Sequence, residues 1–427
     1  MEVLKHVTLD GVRVHLNTRE RKLWINSKWC LFLNETSCFI VESLIDCANS
    51  IKKAEVPICV VKKIVREYDT TEEIAEQDFA TIVGAINAFA RDEPPLNMVG
   101  VEVVPDENLT APNRMDLSLT YRCNNKCGHC YLPKNESNEE LTISQWKQII
   151  DKLWDIGIPQ VVFTGGEPFI KKDTLIKLAE YSKKFICGII TNGTLITDDI
   201  AKELKRVELD WIQITLESGH ERIHDKMIGR KGAFTETSRG ISNCVKYGVP
   251  VSINATLTKD NYQSLNELLD YALKLGVRNV STNAIISAGR GTKAKKEYGV
   301  PEKELAKVLK KAKKYAEKLG IELNWFLPTC YKNLNPMELG FGQRCCSACQ
   351  VNMMVEPDGK VIPCQSWTQE KLGNILTDEW ESIWSSKISK KIRNYGFTPK
   401  ECTGCEYLDY CHGSCPLSHL NGGGICG

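Results

Sequence analysis

The 427-residue sequence has almost no net charge, since 55 Lys and Arg face 54 Asp and Glu and leave +1. Without an excess of one sign there is no bulk electrostatic case for nucleic acid or for an anionic membrane as a partner. No uninterrupted apolar run approaches the ~20 residues that a membrane helix needs. The opening stretch, MEVLKHVTLDGV, lacks the basic-then-apolar build of a secretion signal. The expectation is a cytoplasmic protein that binds neither nucleic acid nor membrane. Apolar content is not what is missing. Hydrophobic residues make up 42% and charged residues 26%, as in ordinary globular chains, and the length predicts two or three domains.

Cysteine is the excess. There are 19, and eleven of them fall in Cys123–Cys130 and Cys346–Cys426. Cytoplasmic thiols stay reduced, so such clustering points to metal or catalysis and not to a disulfide framework.

Residues 1–95 read as a small α+β unit of winged-helix type. VRVHLN and KLWINSKWCLFLN alternate like strands. A helix follows from about Thr36 with Ile40, Val41, Leu44 and Ile45 on one face, another spans Val60–Tyr68, and a third carries Phe79, Ile82, Val83, Ile86 and Phe89. Pro and Gly in ARDEPPLNMVG mark a linker over 96–112. Over 113–323 six strand patterns alternate with amphipathic helices: MDLSLT, QVVFTGG, CGIITNG, DWIQITLES, PVSINATLT and RNVSTNAII. Alternation of this kind predicts parallel β/α units with right-handed crossovers, either an open sheet or a partial barrel, and chemistry at the C-terminal strand ends. Residues 324–427 are poor in regular structure and rich in Cys, Gly and Pro, so metal clusters must stand in for a core there.

The first strand runs into TYRCNNKCGHCYLPKN, where Cys123-x3-Cys127-x2-Cys130 offers three thiolates. Three thiolates on a four-iron cube leave one iron open to a small chelating ligand; a zinc site completed by His129 is the alternative. The second strand ends in TGGEP, where Gly165 and Gly166 allow close backbone approach and Glu167 offers a carboxylate. Later strand ends carry Thr191 and Asn192, then Thr215 and Glu217, then Ser252 and Asn254. The tail has Cys349-x9-Gly359-x4-Cys364, then Cys402-x2-Cys405-x5-Cys411-x3-Cys415, and finally Cys426; paired zinc knuckles are the alternative there. Cys30, Cys38, Cys47, Cys59, Cys187, Cys244 and Cys330 show no ligand spacing and read as small core residues.

Taken together, the three-cysteine loop, the GGE stretch and the tail spacing resemble the radical S-adenosylmethionine (AdoMet) superfamily with a C-terminal SPASM domain. The resemblance covers about 113–427, and it implies a partial (β/α)6 TIM-type barrel between an N-terminal winged-helix-like domain and a C-terminal cysteine-rich Fe–S domain. It implies AdoMet and three [4Fe–4S] clusters as cofactors. The first cluster falls to Cys123, Cys127 and Cys130. The second falls to Cys349, Cys364 and Cys415 with Cys346 or Cys345, and the third to Cys402, Cys405, Cys411 and Cys426. AdoMet contacts fall to His129, Gly165, Gly166, Glu167, Asn192, Thr215, Glu217 and Asn254, with Glu167 on the amino group and Glu217 on the ribose. Residues 1–95 resemble the peptide-recognition element of ribosomal-peptide maturases, related to the peptide chaperone of pyrroloquinoline quinone synthesis. The implied partners are a precursor peptide, its leader bound by that element, and an electron donor such as ferredoxin or flavodoxin. The implied activity is abstraction of a hydrogen from a peptide to form a crosslink or oxidation; maturation of a cofactor enzyme or of a haem precursor is the rival activity, and a non-catalytic iron–sulfur carrier the rival class. Gln365, where sulfatase-maturing relatives carry Asp, argues against formylglycine formation.

Overall fold

The computed structural model describes residues 3–26, 29–93, 109–132 and 139–422. Cys426 and the 96–108 part of the expected linker lie outside the described residues. The chain divides into two compact units, 1–111 with 151–159, and 112–150 with 160–427.

In the first unit, β1 (Leu4–Leu9), β2 (Val12–Asn17), β3 (Lys22–Ile25) and β4 (Trp29–Phe32) form an antiparallel sheet in sequence order. The sequence reading misses β1 and runs β3 and β4 together. A left-handed Asn26 turns the chain between them, and Asn tolerates that conformation. Three helices follow: α1 (Glu35–Ser50), α2 (Val56–Tyr68) and α3 (Glu72–Ala90). Asn34 caps α1 by accepting from Ser37 N–H, Thr71 caps α3 by accepting from Ile74 N–H, and Pro57 starts α2 where its missing N–H costs nothing. The apolar faces of all three helices close with Val14, Leu16, Leu23 and Ile25 of the sheet into one core.

One expectation is overturned here. Cys47 of α1 and Cys59 of α2 form a disulfide, with Cα atoms 6.3 Å apart. A gap of twelve residues carries no pairing signal, and only the packing of α1 against α2 brings the two sulfurs together.

The second unit is built on a ten-stranded sheet. Its elements are β5 (Arg114–Ser118), α4 (Ile143–Ile156), β6 (Gln160–Thr164), α5 (Lys172–Tyr181), β7 (Ile186–Thr191), α6 (Asp198–Arg206), β8 (Trp211–Thr215), α7 (Glu221–Ile228), α8 (Ala233–Lys246), β9 (Val251–Leu257), α9 (Leu265–Lys274), β10 (Asn279–Ala284), α10 (Gly291–Tyr298), α11 (Glu302–Leu319), β11 (Glu322–Trp325), β12 (Asn352–Val355), β13 (Lys360–Ile362) and β14 (Gly373–Asn374). The order is β11-β10-β9-β8-β7-β6-β5-β12-β13-β14. Strands β5 to β10 are the six expected parallel strands, built as a partial barrel. β5, β6 and β7, nearest the cysteine loop, are nearly all buried, as strands covered on both faces must be. Met115, Leu117, Val161, Phe163, Ile189, Ile212, Ile214 and Ile253 are 0% exposed.

The sheet extends further than the alternation suggests. β11 adds a seventh parallel strand beside β10, and β12 of the cysteine-rich tail pairs parallel with β5. An edge at 323/324 therefore cuts through β11. The tail borrows the barrel's first strand as its own foundation, which supplies order that its composition cannot. No helix among the described residues is long and apolar enough to cross a membrane.

Phe163→Ala opens a hole in the barrel core and is expected to cost about 3–5 kcal/mol. Leu420→Ala, at a half-exposed surface, is expected to cost about 0.5 kcal/mol or less. Paired urea unfolding curves check this, and equal shifts would contradict the burial pattern.

Candidate functional site

The three-cysteine loop leaves β5 at its C-terminal end and is fastened to the neighbouring strand ends largely through backbone. Gly166 N–H donates to Thr120 O at 2.7 Å and Glu167 N–H to Arg122 O at 2.9 Å. Gly165 sits at φ +143°, and a Cβ on it would run into Thr120 O; one on Gly166 would run into Arg122 O and Tyr121 O. Close approach does explain the two glycines, but the partner is the chain's own cysteine loop. From the other side, Gly291 N–H donates to Cys130 O at 3.2 Å and Arg290 Nε to Cys127 O at 3.0 Å.

Glu167 is fully buried. Its two oxygens accept from Thr191 Oγ1 at 2.8 and 2.9 Å, from Asn192 N–H at 2.8 Å and from Phe169 N–H at 3.0 Å. Burial raises its carboxyl to about 7, against the pull of these hydrogen bonds. The carboxylate is thus a strut between the ends of β6 and β7. The Asn192 amide reaches Asn124 Oδ1 at 2.9 Å, and Asn124 Nδ2 donates to Thr194 Oγ1 at 2.8 Å. Asn125 N–H donates to Cys123 Sγ at 3.4 Å.

His129 and Glu217 meet. His129 Nε2 donates to Glu217 Oε1 at 2.9 Å, and Glu217 Oε2 accepts from Thr256 N–H at 2.7 Å. Burial disfavours charge on the imidazole, but Glu217 outweighs it and holds His129 above its ordinary value. Asn254 lies in register with Thr215, and its Oδ1 accepts from Ser281 Oγ at 3.2 Å. Thr215 and Ser252 are half-buried on the same two strands.

Half-buried Cys127 has its thiol pushed well up, first by burial and then by Glu217, Cys130 and Cys123. The tail repeats this arrangement. Burial and then Cys415, Cys364 and Cys349 push the Cys346 thiol far up, and the Cys364 thiol rises to about 12 for the same reasons. Cys346 lies near these three, and Cys345 lies near Tyr331. Burial and then Cys411 and Cys405 raise Cys402. Thiols that raise one another stay protonated unless a cationic centre draws off their protons. All three sets therefore suit thiolate-bound iron.

The sequence reading misses several members of this region. Tyr131 OH donates to Gln365 Oε1 at 2.7 Å, and Gln365 Nε2 donates to buried Asp116 at 2.6 Å, joining the cysteine loop, the tail and β5. Asn261 Nδ2 donates to Glu217 O at 2.6 Å, and Glu217 N–H donates to His224 Nδ1 at 3.1 Å. Cys330 is a further case. It is not an ordinary core residue, because it lines a small recess with Cys402, Cys405 and Cys411, and it is disulfide-bonded. None of these carries a local signal, since each depends on a contact far along the chain.

Burial lowers the His224 imidazole to about 4 from 6.5. A depressed histidine contributes stability above the unfolded value that is lost as pH falls through the folded one. Stability is expected to drop by up to about 3 kcal/mol between those limits, and His224→Gln to flatten that slope in pH-dependent unfolding; an unchanged slope would refute the assignment.

Residues 117–272 match the Radical SAM superfamily and residues 345–406 an iron–sulfur cluster-binding SPASM domain. The chain is 31% identical to the Fe-coproporphyrin III synthase of Methanosarcina barkeri, over 70% of this chain and 81% of that one. It is 30% identical to the subtilosin biosynthesis protein AlbA of Bacillus subtilis, over 73% and 68% respectively. The fold is similar to that of Streptococcus suis SuiB bound to its precursor peptide SuiA, with a TM-score of 0.66 at 18% identity over 98% of this chain and 96% of that one. The chain belongs to the radical SAM superfamily, as an AdoMet-dependent enzyme with a SPASM domain.

Proposed function

We propose that this enzyme modifies a ribosomally made peptide, whose leader adds as a strand to the first unit and whose core segment reaches the C-terminal end of the barrel. Cys123, Cys127 and Cys130 would hold the first cluster, which would supply the reducing electron for AdoMet cleavage and so the chemistry that removes a hydrogen from the peptide. In this reading Cys346, Cys349, Cys364 and Cys415 hold one auxiliary cluster, and Cys402, Cys405 and Cys411 belong to the other. The Gly165–Glu167 turn fixes the cysteine loop, and the His129–Glu217 pair presents a charged edge toward AdoMet. A ferredoxin or flavodoxin of the cytoplasm supplies the electron. The protein's own contribution is orientation and exclusion of water around a reactive species.

The observation that carries the peptide reading is the edge of the first unit. β4 pairs only with β3 among the described strands. Leu33 N–H donates back to Arg21 O, on the β3 side. By antiparallel alternation the Cys30 and Phe32 N–H groups then point outward, and such an edge takes an extended peptide as an added strand. The likeness to SuiB with its precursor peptide spans this unit as well. The identity to the Fe-coproporphyrin III synthase supports a second reading, action on a haem precursor.

Two measurements test this. Co-expression with a neighbouring short peptide gene is expected to give a peptide lighter by two hydrogens per bond formed; an unmodified peptide together with turnover of an iron-coproporphyrin would favour the second reading. Cys30→Pro removes one outward N–H and is expected to weaken leader binding about tenfold, the scale of one hydrogen bond, with peptide-independent 5′-deoxyadenosine formation unchanged. Cys127→Ala is expected to abolish that formation, and its persistence would refute the first-cluster assignment.

A further inference from the structure

From Ser382 to Pro399 the chain has no Asp or Glu, yet it carries Lys387, Lys390, Lys391 and Arg393, with Lys400 just beyond. In a protein of net charge +1 that is a local concentration of one sign. It falls on one short helix. After α12 (Trp380–Trp384), α13 (Lys387–Arg393) starts at Ser386, whose Oγ accepts from Ser389 N–H at 3.2 Å. The two faces of α13 differ. Ser389 and Ile392 are buried, whereas Lys387, Lys390 and Lys391 are exposed. No carboxylate among the described residues pairs with these three lysines. The lysines of α11 are placed otherwise, interspersed with Glu302, Glu304 and Glu317, and Lys307 pairs with Glu304 at 2.7 Å.

The inner face of α13 lies against Cys349. Ser389 hydrogen-bonds that thiol and Arg393 draws it down, while burial pushes it up to about 11. Gln350, the next residue after Cys349, donates from Nε2 to Arg393 O at 3.2 Å. The Arg393 guanidinium lies 3.9 Å over the Trp384 ring and donates from Nη2 to Trp384 O at 2.9 Å. Its Nη1 is buried with no partner among the described residues. A buried cationic donor left unpaired is costly, and an anionic thiolate-bound cluster at Cys349 offsets that cost. One helix, about 10 Å across, thus stands between the unpaired lysines and a cluster ligand.

We propose that the lysine face of α13 is the docking surface of the electron donor, a small one-electron carrier protein with an acidic face, which passes its electron to the auxiliary cluster held at Cys349. The inference deepens the reading above and rests on it, both for the ligands of that cluster and for a ferredoxin or flavodoxin as donor. One electron leaves the iron–sulfur or flavin centre of the carrier, which is oxidised, and the auxiliary cluster is reduced; no bond forms or breaks. Opposite charges on exposed faces give fast encounter and salt-sensitive binding, which suits a carrier that must leave after each transfer. Electron-transfer encounters bury little surface, so the face of one short helix and its flanks is large enough.

The experiment uses the full chain, reconstituted without oxygen, with photoreduced flavodoxin and reduced ferredoxin as donors and dithionite as a small reductant that needs no docking. Calorimetry follows binding of each carrier, and stopped-flow absorbance follows cluster reduction. Lys387→Glu, Lys390→Glu and Lys391→Glu are combined in one variant. A second variant carries three reversals on α11, Lys310→Glu, Lys311→Glu and Lys314→Glu, and so has the same net charge. The α13 reversal is expected to weaken carrier binding and to slow reduction by the carrier about tenfold at low salt, the scale of lost steering, and to remove most of the salt dependence. Its circular dichroism, its reduction by dithionite and its 5′-deoxyadenosine formation with dithionite are expected to match the parent, as is every readout of the α11 variant. Gln at the three α13 positions is expected to give a smaller loss in the same direction. In a Cys127→Ala background, which lacks the first cluster, the carrier is expected still to reduce the chain, with the same dependence on α13. Equal loss in both reversal variants, or loss in neither, would overturn the docking surface. Absence of carrier reduction in the Cys127→Ala background would overturn delivery at the auxiliary cluster. A parent reduced by dithionite but by neither carrier would instead overturn the electron-donor reading, and a parent that takes up no iron the cluster assignment itself.

Discussion

The site depends on a backbone latch. The loop from Thr120 to Cys130 must place three sulfurs around one point, yet it has no helix or strand of its own to stiffen it. Stiffness comes from main-chain hydrogen bonds that Gly166 and Glu167 make to Thr120 and Arg122. The strands either side are rigid because they are buried on both faces, so a loop tied to their ends inherits their position. The latch closes only if no side chain stands between the two backbones, and that requirement accounts for both glycines. Glu167 then spreads the constraint to β7 through Thr191 and Asn192. In effect one buried carboxylate holds two strand ends and the cysteine loop in a single arrangement.

The same economy governs the tail. It has too little apolar surface to fold around itself, and it solves this twice. β12 completes the barrel sheet beside β5, which orders the backbone on either side of Cys349 and Cys364. Groups of thiols stand elsewhere where a core would be, protonated until a bound cationic centre draws off their protons. Tyr131, Gln365 and Asp116 join the first cysteine loop to the residue after Cys364, so the two cluster regions are coupled by direct hydrogen bonds. The amide of Gln365 bridges a phenol and a carboxylate there and offers no carboxylate of its own, in keeping with its departure from sulfatase-maturing relatives.

The first unit follows different rules. Its helices begin at ordinary caps and bury an apolar core of conventional make-up, so it needs no metal. Its distinguishing features are a β4 that pairs only with β3 among the described strands and a disulfide between α1 and α2. The covalent tie holds together two helices of the same small core, while the edge stays available.

Much of the molecule was legible from residue order. Strand–helix alternation is a local periodicity, so β5 to β10 appear in the sequence at nearly their observed bounds. Ligand spacings such as Cys123-x3-Cys127-x2-Cys130 are local too, and they announce the chemistry without any structure. What residue order left open were the choices made by contacts between distant segments. Cys346 and Cys345 are adjacent and chemically alike, so residue order cannot say which of them lies near Cys349, Cys364 and Cys415, as Cys346 does in the fold. Cys47 and Cys59 pair, and Cys330 joins the tail's recess, because helices and loops far apart in sequence pack together. The seventh parallel strand and the shared edge of β5 and β12 were hidden for the same reason. Sequence by itself determined most of the elements and the cofactor class, since these are written in short-range pattern. Tertiary structure alone decided which groups meet, because hydrogen bonds and buried contacts act over a few ångströms in space regardless of separation along the chain.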